Sequence, residues 1–352
     1  HNRQQTAAKY YAQNHQLGIN YLEKEKGLIS RNTIAPALVM IGFVISLFST
    51  AGADSIGRGE IILSTTVVAA ALGIFLRYFR APSCPKPYHD TSTSAVIITG
   101  GARGIGRDTA DYLISQGYAV LVTVRKQSQY DEMKVAAEKS NNKSPYPILL
   151  DVTQDKHIPT AMKQLKSFLE QYQKKLIAVV NNAGINPEAD KINEGGTPKV
   201  ENVLADPSVG SRVFETNVVG VGRVTKACLP FLVKGGTVVI IGSYFGSIAG
   251  AIGLDHCYYE ASKFALEGMS DNMRRSLKKE GIRVSLVKPG NIATDMNSHG
   301  EVSTKIVAVD IEHAIASYTP KTRYYPGKVK GYSTKFVCTL YEMLPTWMSD
   351  NM

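Results

Sequence analysis

Residues 94–106 join a short apolar, β-branched run to a glycine-rich turn without a break, and that junction limits the folds open to this chain. Ser94-Ala-Val-Ile-Ile-Thr99 reads as a parallel strand buried on both faces. Gly100-Gly-Ala-Arg-Gly-Ile-Gly106 follows, and then a helix-like stretch from Arg107 to Gln116. Glycines let a backbone turn tightly and approach phosphates, and the next helix N-terminus offers free N–H groups to an anion. The Gly-x-x-x-Gly-x-Gly spacing is a variant of the dinucleotide fingerprint. Gly100, Arg103, Gly104, Ile105 and Gly106 are therefore candidate pyrophosphate-binding residues. The expected fold class is α/β: a Rossmann-type doubly wound parallel sheet with helices on both faces, preceded by an N-terminal transmembrane helical hairpin argued below.

The next apolar run, Ala119 to Val124, ends in Arg125-Lys126. An acid at this strand end would bind ribose hydroxyls, whereas a cation suits a 2′-phosphate. Arg125 and Lys126 thus favour NADP(H), with NAD(H) left open. Asp151-Val152 closes the run Ile148 to Leu150 and is placed beside the adenine. Asn181-Asn-Ala-Gly184 closes Leu176 to Val180, making Asn181, Ala183 and Gly184 cofactor candidates. Asn217 lies in a helix-like stretch and draws its weight only from this set.

Tyr259-Glu-Ala-Ser-Lys263 puts a phenol and an ammonium one helical turn apart on one face. A lysine near a tyrosine, beside a cationic nicotinamide ring, favours the phenolate and brings its pKa toward neutrality. Such a phenol can exchange a proton with an alcohol or ketone. Tyr-x-x-x-Lys alone is commonest on solvated helix faces; the cofactor motifs upstream are what give it meaning here. Gly236-Thr-Val-Val-Ile-Ile-Gly242 reads as a buried strand, with Ser243 at its C-terminal end, the edge where doubly wound sheets bind ligands.

With these motifs in this order, residues 92 to 300 resemble the short-chain dehydrogenase/reductase family. The resemblance implies that Tyr259 is the general acid/base and that Lys263 binds the nicotinamide ribose and lowers the tyrosine pKa. It implies that Ser243 holds the substrate oxygen and that Asn217 holds a relay water leading to Lys263. Pro289-Gly290, with Ile292 and Thr294, resembles the segment that contacts the nicotinamide carboxamide, and helix-mediated pairing in the family makes a homodimer the default. Ser243 precedes Tyr259 by sixteen residues, more than the family's usual spacing, while Ser247 precedes it by twelve. The Ile-Gly-Ser-x-x-Gly context favours Ser243. Tyr258, a second phenol, is expected to line the site. Ser262 to Gly268, Ser270 to Ser276 and Pro320 to Gly327 resemble the membrane-bound retinol and 17β-hydroxysteroid dehydrogenase branch.

The chain has 352 residues, more than one catalytic unit needs. Asn32 to Ala53 is 22 residues without a charge, enough to span a hydrocarbon core. Ile61 to Leu76 adds 16 more, extendable to Phe79 if Arg77 snorkels. The expected organisation is a polar tail (1–31), an anchor (32–80) with spans at 33–53 and 61–79, a Pro-rich linker (81–91), a catalytic domain (92–310) and a C-terminal segment (311–352). Cationic flanks on both outer ends fit a hairpin with tail and enzyme cytoplasmic. The expected location is integral to a membrane, with the endoplasmic reticulum the first choice of organelle.

The chain's net charge of +10 is partly local: Lys321 to Lys335 holds five Lys/Arg and no acid, among tyrosines. No nucleic-acid motif accompanies it, so no such partner is expected. Anionic headgroups, a cover over the substrate by Phe336 to Trp347, and a plain solvated face all fit the tail. The four cysteines show no paired or metal spacing. The expected activity is hydride exchange between NADP(H) and a lipophilic alcohol or ketone, with the lipid bilayer as a partner. A 3-ketoacyl or 3-ketosphinganine reductase shares every motif, and a non-catalytic nucleotide-binding scaffold is the reading from another class.

Overall fold

The computed structural model describes residues 88–140, 144–186, 207–249, 257–294 and 300–344. The expected polar tail, both expected spans and most of the linker lie outside the described residues. Among the described residues, no helix is long and apolar enough to cross a membrane. That finding overturns the expected integral-membrane location in the endoplasmic reticulum. The physical reason is visible in the longest described helix, Cys257–Leu277. It carries Glu260, Lys263, Glu267, Asp271, Arg274 and Arg275, about one charge per turn, and an apolar stripe on one side only.

Strands and helices alternate in the order β1 (Ser94–Ile98), α1 (Gly104–Ser115), β2 (Ala119–Val124), α2 (Gln127–Lys139), β3 (Tyr146–Leu149), α3 (Ile158–Gln171) and β4 (Lys175–Asn181). Then come α4 (Pro207–Phe214), a π-helical turn (Glu215–Val219), α5 (Gly220–Cys228), β5 (Leu232–Ile241), α6 (Cys257–Leu277) and β6 (Arg283–Val287). The remainder is β7 (Ile292–Ala293), β8 (Val302–Ser303), α7 (Lys305–Ala316), β9 (Arg323–Tyr324), a β10–β11 hairpin (Lys328–Val329, Tyr332–Ser333) and α8 (Thr334–Met343).

The main sheet has seven strands in the order β3-β2-β1-β4-β5-β6-β9, each pair parallel. Parallel pairing demands crossovers, and helices as crossovers cover both faces, which explains runs such as Ser94–Ile98 that are buried at every position. Ile97, Leu121, Val179 and Ile240 point to one face, where they pack with Leu165 and Phe168 of α3, Val224 of α5 and Leu266 of α6. α1 and α7 pack against each other, α7 burying Ile306, Val307, Ile311 and Ala314.

β1 pairs with both β2 and β4, so successive crossovers leave it in opposite directions. This reversal opens a crevice at the carboxyl ends of β1 and β4. β9 extends the sheet beyond β6, pairing Leu286 with Arg323 and Val287 with Tyr324. The expected domain boundary at 310 therefore runs through α7, and the C-terminal segment is part of the sheet.

Ile97 is fully buried in the central strand. Ile97→Ala leaves a cavity there and is expected to cost about 2–5 kcal/mol, read as a fall in the urea midpoint at unchanged m-value.

Candidate active site

The crevice holds a cavity of about 1210 Å³. Its floor is the glycine turn. Gly100 and Gly104 have φ of +66° and +56°, a region that side chains other than glycine's rarely enter. A Cβ on Gly106 would come within 2.5 Å of both the Gly100 carbonyl and the Asn182 amide nitrogen. α1 starts at Gly104, and Arg103 gives its first turn no side-chain cap. Free N–H groups at a helix N-terminus are what a pyrophosphate needs, so the residues present fit a dinucleotide.

Asn182 holds this turn to β4. Its side chain donates to the carbonyls of Thr99 (2.9 Å) and Gly100 (3.1 Å). In return, Thr99 Oγ1 accepts the backbone N–H of Asn182 and of Ala183, each at 2.9 Å. Ala183 and Gly184 line the cavity; Asn181 does not. Its side chain donates instead to Thr225 Oγ1 of α5 (2.9 Å), so the expected cofactor role of Asn181 is corrected to a packing role. Consecutive residues at a strand end point to opposite faces, and Asn182 takes the crevice side.

At the nucleoside end, Arg125 and Lys126 leave β2 exposed and line the cavity. Asp151 and Val152 line it too. Asp151 accepts from Thr153 N (2.9 Å) and Oγ1 (2.8 Å), a local turn that fixes the carboxylate. Arg223 braces this wall by donating to the Val152 carbonyl (2.6 Å) and pairing with Glu215 (2.7 Å).

At the other end, β5 runs out at Ile241, and Ser243 caps a short turn by accepting from Phe245 N (3.2 Å). The half-buried Tyr259 has its hydroxyl hydrogen-bonded to Ser243. Lys263 Nζ sits 5.3 Å from the Tyr259 ring centroid and donates to the Ile241 carbonyl (3.1 Å). Pro289, Gly290, Ile292 and Thr294 close the same end. Ser247 does not line the cavity and bonds instead to Lys288 and to Glu342 (2.5 Å).

The comparisons agree with this geometry. The family model described as short chain dehydrogenase matches residues 94–303. The chain belongs to this family. Human retinol dehydrogenase 5 is 30% identical over 280 residues, which are 67% of this chain and 81% of that protein. Rat 17-beta-hydroxysteroid dehydrogenase type 6 is 26% identical over 303 residues, 74% of this chain and 88% of that one. A short-chain dehydrogenase from Burkholderia cenocepacia, solved with NADP, superposes with a TM-score of 0.57 at 22% identity, covering 70% of this chain and all of that one. This short-chain dehydrogenase matches the retinol and hydroxysteroid branch of its family, and it is an oxidoreductase acting between hydroxyl and carbonyl groups.

Asn217 sits in the π-helical turn, a feature frequent at functional sites. It is not a cavity-lining residue: its Oδ1 accepts from Ile185 N (2.9 Å) and its Nδ2 donates to Ile185 O (3.0 Å) and Ser262 Oγ (3.0 Å). Ser262 in turn donates to the Tyr259 carbonyl (2.6 Å). Two residues of this dehydrogenase thus escaped the sequence reading: Asn182, inside a quoted motif, and Ser262, inside the Tyr-Glu-Ala-Ser-Lys run. Tyr258, expected at the site, packs its ring against Gly210 of α4 instead.

Electrostatics depart from expectation as well. Burial pushes the Tyr259 phenol up to about 12, against the opposing hydrogen bond from Ser243. Burial also lowers the Lys263 ammonium to about 8. Desolvation penalises both charged forms. The chain's own groups therefore hold Tyr259 protonated, as a proton donor.

For Lys263, the folded value of about 8 lies below the ordinary 10.5, so the unfolded chain binds more protons between those limits. Stability should rise with pH across that window. Lys263→Met removes this dependence: the stability difference between variant and parent should shift by roughly 3 kcal/mol from pH 7 to 10.5, read by urea denaturation. A flat difference would show that the ammonium is solvated.

Proposed function

We propose that this chain is an NADP(H)-dependent oxidoreductase that interconverts a hydroxyl and a carbonyl on a lipophilic small molecule, such as a retinoid, a steroid or a related lipid. The observation that carries the reading is the Tyr259 hydroxyl bonded to Ser243, one turn from Lys263, at the end of a cavity floored by the glycine turn. When bound, NADP(H) supplies or accepts the hydride. Arg103, Gly104 and Ile105 at the start of α1 hold its pyrophosphate, Arg125 and Lys126 its 2′-phosphate, and Asp151 and Val152 flank its adenine. Ser243 orients the substrate oxygen, and Tyr259 gives that oxygen its proton in reduction or takes it in oxidation. Lys263 hydrogen-bonds the nicotinamide ribose, and Asn217 with Ser262 fixes the helix that carries both catalytic groups.

The lipophilic class rests on the wall beside Tyr259. Tyr244 and Phe245 line the cavity with rings stacked 4.1 Å apart, backed by Ile248 and Cys338. A flat apolar molecule is what such a wall desolvates at least cost. Two relatives, a retinol dehydrogenase and a hydroxysteroid dehydrogenase, point the same way. Exposed Val219 and Phe264, on the π-helical turn and on α6, suit a homodimer, which light scattering would test.

Two variants test the reading. Tyr259→Phe should lower kcat for retinal or a steroid ketone by about 10²–10⁴-fold while NADPH fluorescence titration still shows binding. Unchanged turnover would instead favour a nucleotide-binding scaffold. Arg125→Asp should move the kcat/KM ratio from NADPH toward NADH by at least about tenfold, since the 2′-phosphate loses a cation and meets an anion. An unmoved ratio removes Arg125 from that role.

A further inference from the structure

Lys288, between β6 and Pro289, is 0% exposed, although nothing in the reaction above uses it. Its ammonium lies 2.7 Å from Glu267 Oε1 of α6 and 3.5 Å from Glu342 Oε1 of α8. It donates to Ser247 Oγ, which donates onward to Glu342 (2.5 Å). The Tyr325 ring covers it, with the nitrogen 5.4 Å from the ring centroid. A charge this deep is retained only when it is paired and hydrogen-bonded on every side, and here its partners come from different elements.

Pro289 and α6 (through Tyr259 and Lys263) line the substrate end, and α8 packs behind the Tyr244–Phe245 wall. Pro289, next in the chain, accepts Tyr244 N at 3.0 Å, directly after Ser243. Glu267 lies one turn beyond Lys263 on α6. α8 buries Cys338 against Tyr244, Phe245 and Ile248, with Tyr259 and Tyr341 packed alongside. α8 is short, ten residues, and Glu342 pairs it with Lys288. A helix of this length has little stability of its own and depends on what it docks against.

We propose that Lys288 is a positioning residue that clamps α8 over the substrate end through Ser247 and Glu342, and that the clamp sets the fit of bulky apolar carbonyl substrates. This deepens the lipophilic-substrate reading, and only its kinetic arm rests on that reading. Glu342 is about half exposed, so Glu342→Gln removes one end of the clamp without emptying the core.

In the full chain, Glu342→Gln should speed hydrogen exchange of the α8 amides about tenfold, with α1 amides unchanged. KM for all-trans-retinal should rise about tenfold with kcat held within about twofold, while kcat/KM for cyclohexanone, too small to reach α8, stays within about twofold. Ser247→Ala combined with Glu342→Gln should be no worse than either alone, because both break one chain of bonds. Unchanged α8 exchange, additive effects, or equal losses for both carbonyls would each overturn the clamp. If the parent enzyme fails to reduce retinal, the substrate reading falls, and the exchange measurement still decides the clamp.

Discussion

The crevice depends on the way two strand ends are allowed to separate without orphaning their peptide groups. Where β1 and β4 diverge, their N–H and C=O groups lose the ladder that satisfied them, and burying such groups unpaired is costly. Asn182 and Thr99 replace the ladder with four reciprocal bonds, two to each residue's backbone neighbourhood. The strands can then part while the glycine turn stays fixed. Gly106 has no room for a Cβ because this stitch occupies the space, so turn geometry and strand divergence are one constraint. The position of α1's N-terminus, and hence of any phosphate against it, follows from that constraint.

The catalytic end obeys a different balance. Lys263 is buried and Tyr259 half-buried beside it, and desolvation moves both toward their neutral forms. The sequence reading had combined the lysine with a cationic nicotinamide ring to favour the phenolate. What the chain itself contributes is desolvation, opposed at the phenol by the Ser243 hydrogen bond. A protonated phenol held against Ser243 is arranged to give a proton to a carbonyl oxygen. Proton loss in the opposite direction then calls for a charge beyond these three side chains, which ties the acid/base step to cofactor binding.

Much of this was readable residue by residue. Ala119–Val124 is a strand with the expected bounds, because continuous β-branched runs between turn residues have few other outlets. The glycine turn was legible because φ above zero and close backbone approach leave a compositional trace. Side-chain facing at strand ends was not: Asn181 and Asn182 are chemically identical, and only the pleat decides which meets the crevice. The π-helical turn around Asn217 has no sequence signal, and the Ile185 backbone that the Asn217 side chain binds lies 32 residues away. Contacts across long sequence separations were equally silent, as with Ser247 and Lys288, 41 residues apart.

The C-terminal segment shows why linear charge counting misleads. Lys321 to Lys335 reads as a free cationic patch, yet Arg323 pairs with Glu267 (2.8 Å) and Asp271 (3.3 Å) on α6. Tyr324 is buried in the sheet, its hydroxyl 2.8 Å from His313 Nδ1, with Lys321 packed over its ring at 5.6 Å. The acids that offset Arg323 lie some fifty residues earlier, so no short window on the sequence contains both. These contacts pack Arg323 and Tyr324 against α6 and α7, and α8 packs Cys338 behind Tyr244 and Phe245. The segment's tyrosines and cations serve as docking groups for β9 and α8, because a two-residue strand and a ten-residue helix need side-chain anchors to hold their places.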